Sequence, residues 1–321
     1  MAERPSLETL QAAAQLVYTA MPPTPQYAWP LLAERAGCDL WVKHENHTPI
    51  GAFKVRGGLV YMDWLRRTEP DCPGVITATR GNHGQSIGFA ARRHGLHATV
   101  LVPHGNSTEK NAAMRALGVE LIEHGHDFQA AREEADRLAA ERGLHFLGPF
   151  NPILRRGTAT YGLELLRALP DLDRVYVPIG MGSGLTGTIA ARDALGHRAD
   201  VIGVVAEQAP AYALSYARGE VVATETADTL ADGLACRVPD AEALEIIREG
   251  AADIIQVSDT EIRAAMRAYY TDTHNLAEGA GAAALAAVVK DRARCAGKQV
   301  ATVLCGQNVD AAVFREVLAE A

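Results

Sequence analysis

The chain has 321 residues, of which 48% are hydrophobic and 22% charged, values typical of a globular protein that buries its own core. Its net charge of −8 argues against binding to nucleic acid or to an anionic membrane, because both surfaces attract a basic excess. No apolar run approaches the roughly 18 residues that a membrane-spanning helix needs, so we expect no membrane-spanning helix. The first ten residues, MAERPSLETL, are polar and do not resemble a signal peptide.

The cysteines indicate a reducing compartment. Their number is odd and no CxxC pair occurs, which predicts free thiols in a cytoplasmic protein and neither a disulfide framework nor a zinc site. They are Cys38, Cys72, Cys236, Cys295 and Cys305.

Short apolar runs alternate with helical stretches along the chain. The predicted strands are Leu40–Glu45, Gly74–Thr77, Ala98–Val102, Glu120–Ile122, His145–Leu147, Arg174–Pro178, Val201–Ala206, Asp253–Val257 and Gln299–Leu304. The clearest predicted helices are Phe128–Arg142, Gly157–Leu169, Thr188–Leu195, Asp259–Tyr270 and Gly279–Cys295. Runs such as VIGVVA are apolar throughout, as expected of parallel strands covered on both faces. The fold class is therefore α/β, with doubly wound, mostly parallel sheets.

Two turn-rich segments predict the domain boundaries. They are DCPG at Asp71–Gly74 and GPFNP at Gly148–Pro152. The segment between them is predicted to form a small domain, 71–149, while 1–70 and 150–321 form a larger, discontinuous one. A cleft between two such domains is a usual place for a ligand.

The first loop with potential chemistry leads from a strand to Lys54, which is expected in the first turn of a helix. The positive end of the helix dipole disfavours a cation there and lowers the pKa of an amine, as a nucleophile requires. A solvated lysine is the alternative. Just before it, His44-Glu45-Asn46-His47 lacks the HExxH spacing of a zinc site, so we exclude that function.

A second loop, Thr79-Arg80-Gly81-Asn82-His83, follows the strand at 74–77 and opens a helix. Its consecutive backbone N–H groups are suited to a carboxylate, although an ordinary turn with an asparagine cap would have the same sequence.

The third loop is rich in glycine and runs from Gly180 to Gly187, before a helix. Glycines let a backbone approach a phosphate closely. Because 182–187 also matches GxGxxG and Glu207 follows twenty residues later, a nicotinamide dinucleotide and another phosphate ligand are equally favoured by this loop alone. The fourth loop starts at Cys305, which is either a buried filler or a neutral partner for a ring atom.

Taken together, these loops resemble the fold-type II pyridoxal-phosphate enzymes, most closely the serine/threonine dehydratase and serine racemase group. The matching segments, in order, are GAFKVRG around Lys54, TRGNH at 79–83, GMGSG at 180–184, EGAG from Glu278 and CGQNVD from Cys305. The resemblance implies an active site in the interdomain cleft, with Lys54 as the cofactor-bearing and catalytic base residue. It implies cofactor contacts from Phe53, Lys54, Asn82, Gly180, Met181, Gly182, Ser183, Gly184, Glu278 and Cys305, and substrate contacts from Thr79, Arg80, Gly81, Asn82 and His83.

The implied activity is a pyridoxal 5'-phosphate-dependent elimination that converts a β-hydroxy-α-amino acid, such as threonine or serine, to a 2-oxo acid and ammonia. Arg80 replaces a serine of the racemase, which argues against racemisation, and an inward-pointing Arg80 would favour 3-hydroxyaspartate. Phenylserine is a further alternative, and an NAD-dependent oxidoreductase is the alternative from another class. Glu207 matches one acid of a cation site found in some relatives, but Ala213 replaces the other, so no metal is expected. We also expect a cytoplasmic homodimer without the C-terminal regulatory domain of biosynthetic threonine dehydratases.

Overall fold

The computed structural model describes residues 4–320, so the first three residues of the polar N-terminal segment and the last residue of the chain lie outside it. Within this range the strands are β1 (Gln26–Ala28), β2 (Asp39–His44), β3 (Gly74–Ala78), β4 (His97–Val102), β5 (Glu120–Glu123), β6 (His145–Phe146), β7 (Arg174–Pro178), β8 (Asp200–Ala206), β9 (Asp253–Val257) and β10 (Gln299–Leu304).

The helices of the described range connect and cover these strands. They are α1 (Leu7–Tyr18), α2 (Pro30–Ala36), α3 (Lys54–Thr68), α4 (Asn82–Arg93), α5 (Thr108–Ala116), α6 (Phe128–Arg142), α7 (Pro152–Ala168), α8 (Ser183–Leu195), α9 (Ala211–Arg218), α10 (Ala241–Gly250), α11 (Asp259–Thr273), α12 (Gly279–Lys290), α13 (Arg292–Cys295) and α14 (Ala311–Ala319). A 3-10 turn spans Asp232–Leu234.

The strands form two sheets. One has six strands in the order β1-β2-β10-β7-β8-β9, and the other has four in the order β5-β4-β3-β6. Only β1 and β2 pair antiparallel, and every other pairing is parallel. The predicted α/β class with doubly wound, mostly parallel sheets is confirmed. As inferred from the sequence, the parallel strands are covered on both faces: in β8 every residue after the first is buried.

The hydrophobic cores follow the sheets, but one of them crosses a predicted boundary. The four-stranded sheet lies within the predicted small domain, 71–149. Val75 of β3 and Ile87 of α4 share a core with Val55 and Leu59 of α3, which precede that boundary. The division at 71 and 149 stays a prediction.

Several element predictions were incomplete, three of them away from the glycine-rich loop. The short strand β1 was not predicted, because two of its three residues are exposed and carry no apolar pattern. Helix α7 begins at Pro152 rather than Gly157, since the Asn151 side chain accepts from the backbone N–H of Ile153 and caps it. The predicted helix Gly279–Cys295 is two helices, because Asp291 leaves the helical conformation and its carboxylate accepts from the Tyr176 hydroxyl at 2.6 Å.

No helix between residues 4 and 320 is both long enough and apolar enough to cross a membrane.

Candidate active site

Lys54 is the first residue of α3, as predicted, and lies beyond the carboxyl end of β2. The loop before it is held to the end of β10. The Phe53 N–H donates to the Cys305 carbonyl at 3.0 Å, and Ala52 forms a β-bridge with Gly306. The Ser86 hydroxyl donates to the Lys54 carbonyl at 2.6 Å, which joins α4 to the same point. The lysine is therefore fixed where the two sheets approach each other.

The Lys54 side chain is half-buried beside the glycine-rich loop. Its amine donates to the Ser183 hydroxyl at 2.8 Å and lies 5.0 Å from the centre of the Phe53 ring. Burial lowers the pKa of this amine to about 8. Because neither contact supplies a full negative charge, about a tenth of the amine is neutral at pH 7, far more than for an unperturbed lysine, which suits a nucleophile or a proton acceptor.

The glycine-rich loop forms a close-packed cup at the start of α8. Helix α8 begins at Ser183 rather than at the predicted Thr188, so Ser183 and Gly184 lie in its first turn. Gly182 precedes the helix in the left-handed region, with φ of +91°, and no side chain caps the helix. A Cβ at Gly180 would collide with the Gly233 carbonyl. Backbone N–H groups at an uncapped helix start bind anions, and phosphate is a typical one.

The second predicted loop follows β3 and leads into α4, the helix whose Ser86 contacts Lys54. Its Thr79 hydroxyl accepts from the Gly81 N–H at 3.0 Å, so this amide is already partnered within the loop. Arg80 is exposed, whereas Thr79 and His83 are buried. Burial, reinforced by the nearby Lys54, lowers the pKa of His83 to about 3, so its ring is neutral. The His83 Nε2 atom is buried and has no hydrogen-bond partner among the described residues.

Asn82, Glu278 and Cys305 complete the site. The Asn82 amide donates to Glu278 Oε1 at 2.7 Å, and the Asn308 amide donates to Asn82 Oδ1 at 2.7 Å. Glu278 is the N-cap residue of α12 and is buried, which raises the pKa of its carboxyl to about 7. Burial likewise raises the pKa of the Cys305 thiol well above its usual value, with Glu278 adding to it. Cys305 is therefore a neutral group.

The structure thus brings the Lys54, Asn82, Ser183, Glu278 and Cys305 loops together. Sequence reasoning missed three further residues there: Lys110, Asp232 and Asn308. Asn308 had a signal, since it lies three residues after Cys305. Lys110 donates to Asp232, 122 residues away in the chain, and no local pattern marks either residue.

Two other sequence features lie outside this cluster. Glu207 is exposed and accepts from the Lys290 amine at 3.1 Å. His44 accepts from the Trp29 indole at 3.0 Å, and burial lowers its pKa to about 4. Among residues 4–320, no group of three or more His, Cys, Asp or Glu side chains is arranged to hold a metal ion.

Comparison with known proteins shows what this arrangement is similar to. A family profile described as "Pyridoxal-phosphate dependent enzyme" matches residues 17–306. An L-threonine ammonia-lyase of Geobacter sulfurreducens is 36% identical over 279 residues, covering 87% of this chain and 69% of the relative.

Two solved structures are similar over nearly the whole chain. The processed form of threonine deaminase isoform 2 from Solanum lycopersicum has 28% identity and a TM-score of 0.91, covering 100% of this chain and 97% of its own. A maize serine racemase has 25% identity and a TM-score of 0.92, and the match covers 98% of this chain and 97% of the racemase chain.

Proposed function

The chain belongs to the family of pyridoxal-phosphate dependent enzymes, and from this premise we propose that it is an ammonia-lyase acting on threonine or serine. The family and the cofactor predicted from the sequence are confirmed. Membership decides against the nicotinamide alternative, and so does Glu207, whose carboxylate pairs with Lys290. The observation that carries the proposal is the Lys54 amine, held 2.8 Å from Ser183 at the glycine cup.

The residues present fit pyridoxal phosphate. A Cβ at Gly180 would collide with the Gly233 carbonyl and one at Gly182 with Ala243, so the packing of this loop requires glycine at both positions. The uncapped start of α8 supplies N–H groups for the phosphate. Phe53 lies beside the amine, and Cys305 offers a neutral partner for the pyridine nitrogen. When bound, pyridoxal phosphate supplies an electron sink for the charge left by loss of the α-proton.

The chain's own residues supply binding and proton transfer. Lys54, with its pKa lowered to about 8, carries the cofactor and accepts the α-proton at Nζ. Ser183 accepts a hydrogen bond from that amine and orients it. Asn82 would hold the 3-oxygen of the cofactor with the amide hydrogen that it does not donate to Glu278. The 79–83 loop binds the substrate carboxylate through backbone N–H groups other than that of Gly81, which Thr79 occupies.

The exposed side chain of Arg80 favours a neutral β-substituent. Threonine, serine or an aromatic β-hydroxy amino acid then fits better than 3-hydroxyaspartate, whose second carboxylate needs an inward-pointing cation. The family resemblance also places Arg80 where serine racemase has a serine that protonates the second face of the substrate. Arginine at this position favours elimination over racemisation. We further propose a cytoplasmic homodimer whose domains are 71–149 and the remainder of the chain.

The lysine assignment is tested by chemical trapping. The purified protein is loaded with pyridoxal phosphate and reduced with borohydride, and its peptides are mapped by mass spectrometry. We expect the pyridoxyl group on Lys54. A label on Lys43 or Lys110 would contradict the assignment, and no label would contradict the function.

The substrate assignment is tested by parallel assays of 2-oxo acid and ammonia release from threonine, serine, 3-hydroxyaspartate and phenylserine. We expect threonine or serine to react fastest. Arg80→Ala is expected to alter all four rates similarly. A loss confined to 3-hydroxyaspartate would establish the acidic substrate instead.

A further inference from the structure

Lys110 is a buried charge that the mechanism above does not use. It lies in α5, and its side chain is 8% exposed. A Cβ at Gly81 would lie 2.5 Å from Lys110 Cδ, so the lysine stem packs directly against the 79–83 loop. A lysine is rarely buried unless its charge is paired, so the partners of Lys110 indicate its role.

Two carboxylates of the six-stranded part of the chain surround the Lys110 amine. The amine donates to Asp232 at 2.5 Å and lies 3.7 Å from Glu278 Oε2. That Glu278 oxygen is buried and has no hydrogen-bond partner among the described residues. Although burial opposes its charge, Glu278 and Asp232 raise the pKa of Lys110 above its usual value, with Asp310 adding to it. Lys110 is therefore the cation that balances this oxygen.

The other oxygen of Glu278 determines how Asn82 is oriented. Glu278 Oε1 accepts from the Asn82 amide nitrogen, and Asn82 Oδ1 accepts from Asn308, both at 2.7 Å. The Asn308 amide also donates to the Ile50 carbonyl at 2.8 Å, which fixes it as a donor. An ionised carboxylate can only accept, so it selects this orientation of Asn82. A protonated Glu278 can donate as well as accept, so it no longer selects this orientation and leaves Asn308 alone to hold it.

We propose that Lys110 is a positioning residue that favours the ionised form of Glu278 and thereby holds the Asn82 side chain in the orientation that leaves its second amide hydrogen free for the cofactor. The inference rests on the proposed cofactor site. Lys110 acts through Glu278 and touches neither the cofactor nor the reacting atoms. It links α5 of the four-stranded part to the cofactor contact on α4 by way of α12.

The charges that face Glu278 act in opposite directions, which makes the proposal testable. Lys110 favours the ionised carboxyl, whereas burial and Asp232 favour the protonated one. The Cys305 thiol is neutral and adds no charge. Removing the Lys110 cation therefore raises the pKa of Glu278, and removing the Asp232 charge lowers it. Loss of packing alone would not move the pKa in opposite directions.

The experiment uses the full chain without substrate. The dissociation constant of pyridoxal phosphate and the pH dependence of its bound absorbance are measured for the unsubstituted protein, Lys110→Met, Lys110→Arg and Asp232→Asn. We expect Lys110→Met to weaken binding about tenfold near neutral pH and to move the absorbance transition up by about 1–3 pH units, the usual effect of one nearby charge. Lys110→Arg keeps the cation and is expected to retain the affinity and the pH of the absorbance transition. Asp232→Asn is expected to move the transition to lower pH.

A double-mutant cycle with Glu278→Gln isolates the route of action. This variant keeps an acceptor for Asn82 without a titratable charge, so Lys110→Met is expected to have no further effect in that background. An equal effect of Lys110→Met in both backgrounds would overturn the proposal, as would a transition that both charge-removing variants leave in place. If Lys110→Met does not fold, Asp232→Asn alone decides by the sign of its shift. Failure of every protein to bind pyridoxal phosphate would instead overturn the proposed function.

Discussion

Arg56 donates to both carboxylate oxygens of Glu45, at 2.7 and 2.9 Å, and the side chains of both residues are fully buried. Arg56 also donates to both oxygens of Glu164, at 2.7 and 2.9 Å, and Glu164 accepts from Lys43 at 2.6 Å. This quartet contains two cations and two anions. It joins the end of β2, the start of α3 and α7, two residues from Lys54.

The quartet predicts a large stability loss when one partner is removed. Arg56→Met leaves two buried carboxylates facing one cation, and such a change usually costs about 3–5 kcal/mol of unfolding free energy. Urea denaturation of the cofactor-free protein measures it. Glu207→Gln, which breaks the exposed pair with Lys290, is the control and is expected to cost less than about 1 kcal/mol. Equal losses in the two variants would show that the quartet contributes no special stability.

The sequence predicted those parts of the molecule that a local pattern encodes. Strands that are apolar throughout, such as β8, predicted the parallel sheets. Local motifs predicted four loops of the site, namely those at Lys54, at 79–83, at 180–187 and at Cys305. Each of these loops lies directly after a strand, and the carboxyl ends of parallel strands share one sheet edge. Because β2, β7 and β10 belong to the six-stranded sheet, the convergence of their three loops followed from the fold class, without knowledge of any side-chain contact. The loop after β3 belongs to the other sheet, and its place at the site was implied by the family resemblance.

Contacts between distant residues had no such signal. The partners of Arg56 are Glu45, eleven residues away, and Glu164, 108 residues away. Nothing in the sequence distinguishes Glu164 from the exposed glutamates of other helices. Likewise Arg80 occupies a family position, yet only the fold determines that its side chain is exposed.

The lowered pKa of Lys54 predicts an unusual pH profile for its reactivity. Because burial brings the pKa to about 8, roughly half of the amine is neutral at that pH, whereas an unperturbed lysine with a pKa of about 10.4 is almost fully protonated. Cofactor-free protein is labelled with trinitrobenzenesulfonate from pH 6.5 to 10, and each lysine is quantified by mass spectrometry. The Lys54 rate is expected to level off above pH 8. A rate that still rises tenfold per unit at pH 9 would contradict the lowered pKa.

The Gly184→Ala variant tests whether the glycine cup binds the cofactor, independently of its contribution to folding. A Cβ at Gly184 would lie 3.3 Å from the Tyr161 hydroxyl and 3.5 Å from Phe53, so Gly184→Ala requires a small shift of Tyr161, while alanine raises helix propensity. We expect unchanged or higher stability of the cofactor-free protein and at least a tenfold weaker affinity for pyridoxal phosphate, about 1.4 kcal/mol.

The matched variant is Gly182→Asp, whose backbone φ of +91° and whose Cβ contact of 2.9 Å with Ala243 predict losses in both stability and binding. Thermal unfolding and equilibrium titration distinguish the two. Normal affinity in Gly184→Ala would place the phosphate elsewhere.

Cys305 is predicted to face the pyridine nitrogen as a neutral partner. The thiol is buried, and its pKa is raised well above the usual value, so it carries no charge at neutral pH. Cys305→Ser supplies a neutral hydrogen-bonding group of similar shape and is expected to keep the elimination rate within a few-fold. Cys305→Asp places a carboxylate near the buried Glu278 and would hold a proton on the nitrogen, so we expect a shifted cofactor absorbance and at least a tenfold slower elimination. Urea unfolding of each variant separates this effect from loss of fold, and equal spectra and rates in all three folded proteins would show that residue 305 does not contact the ring.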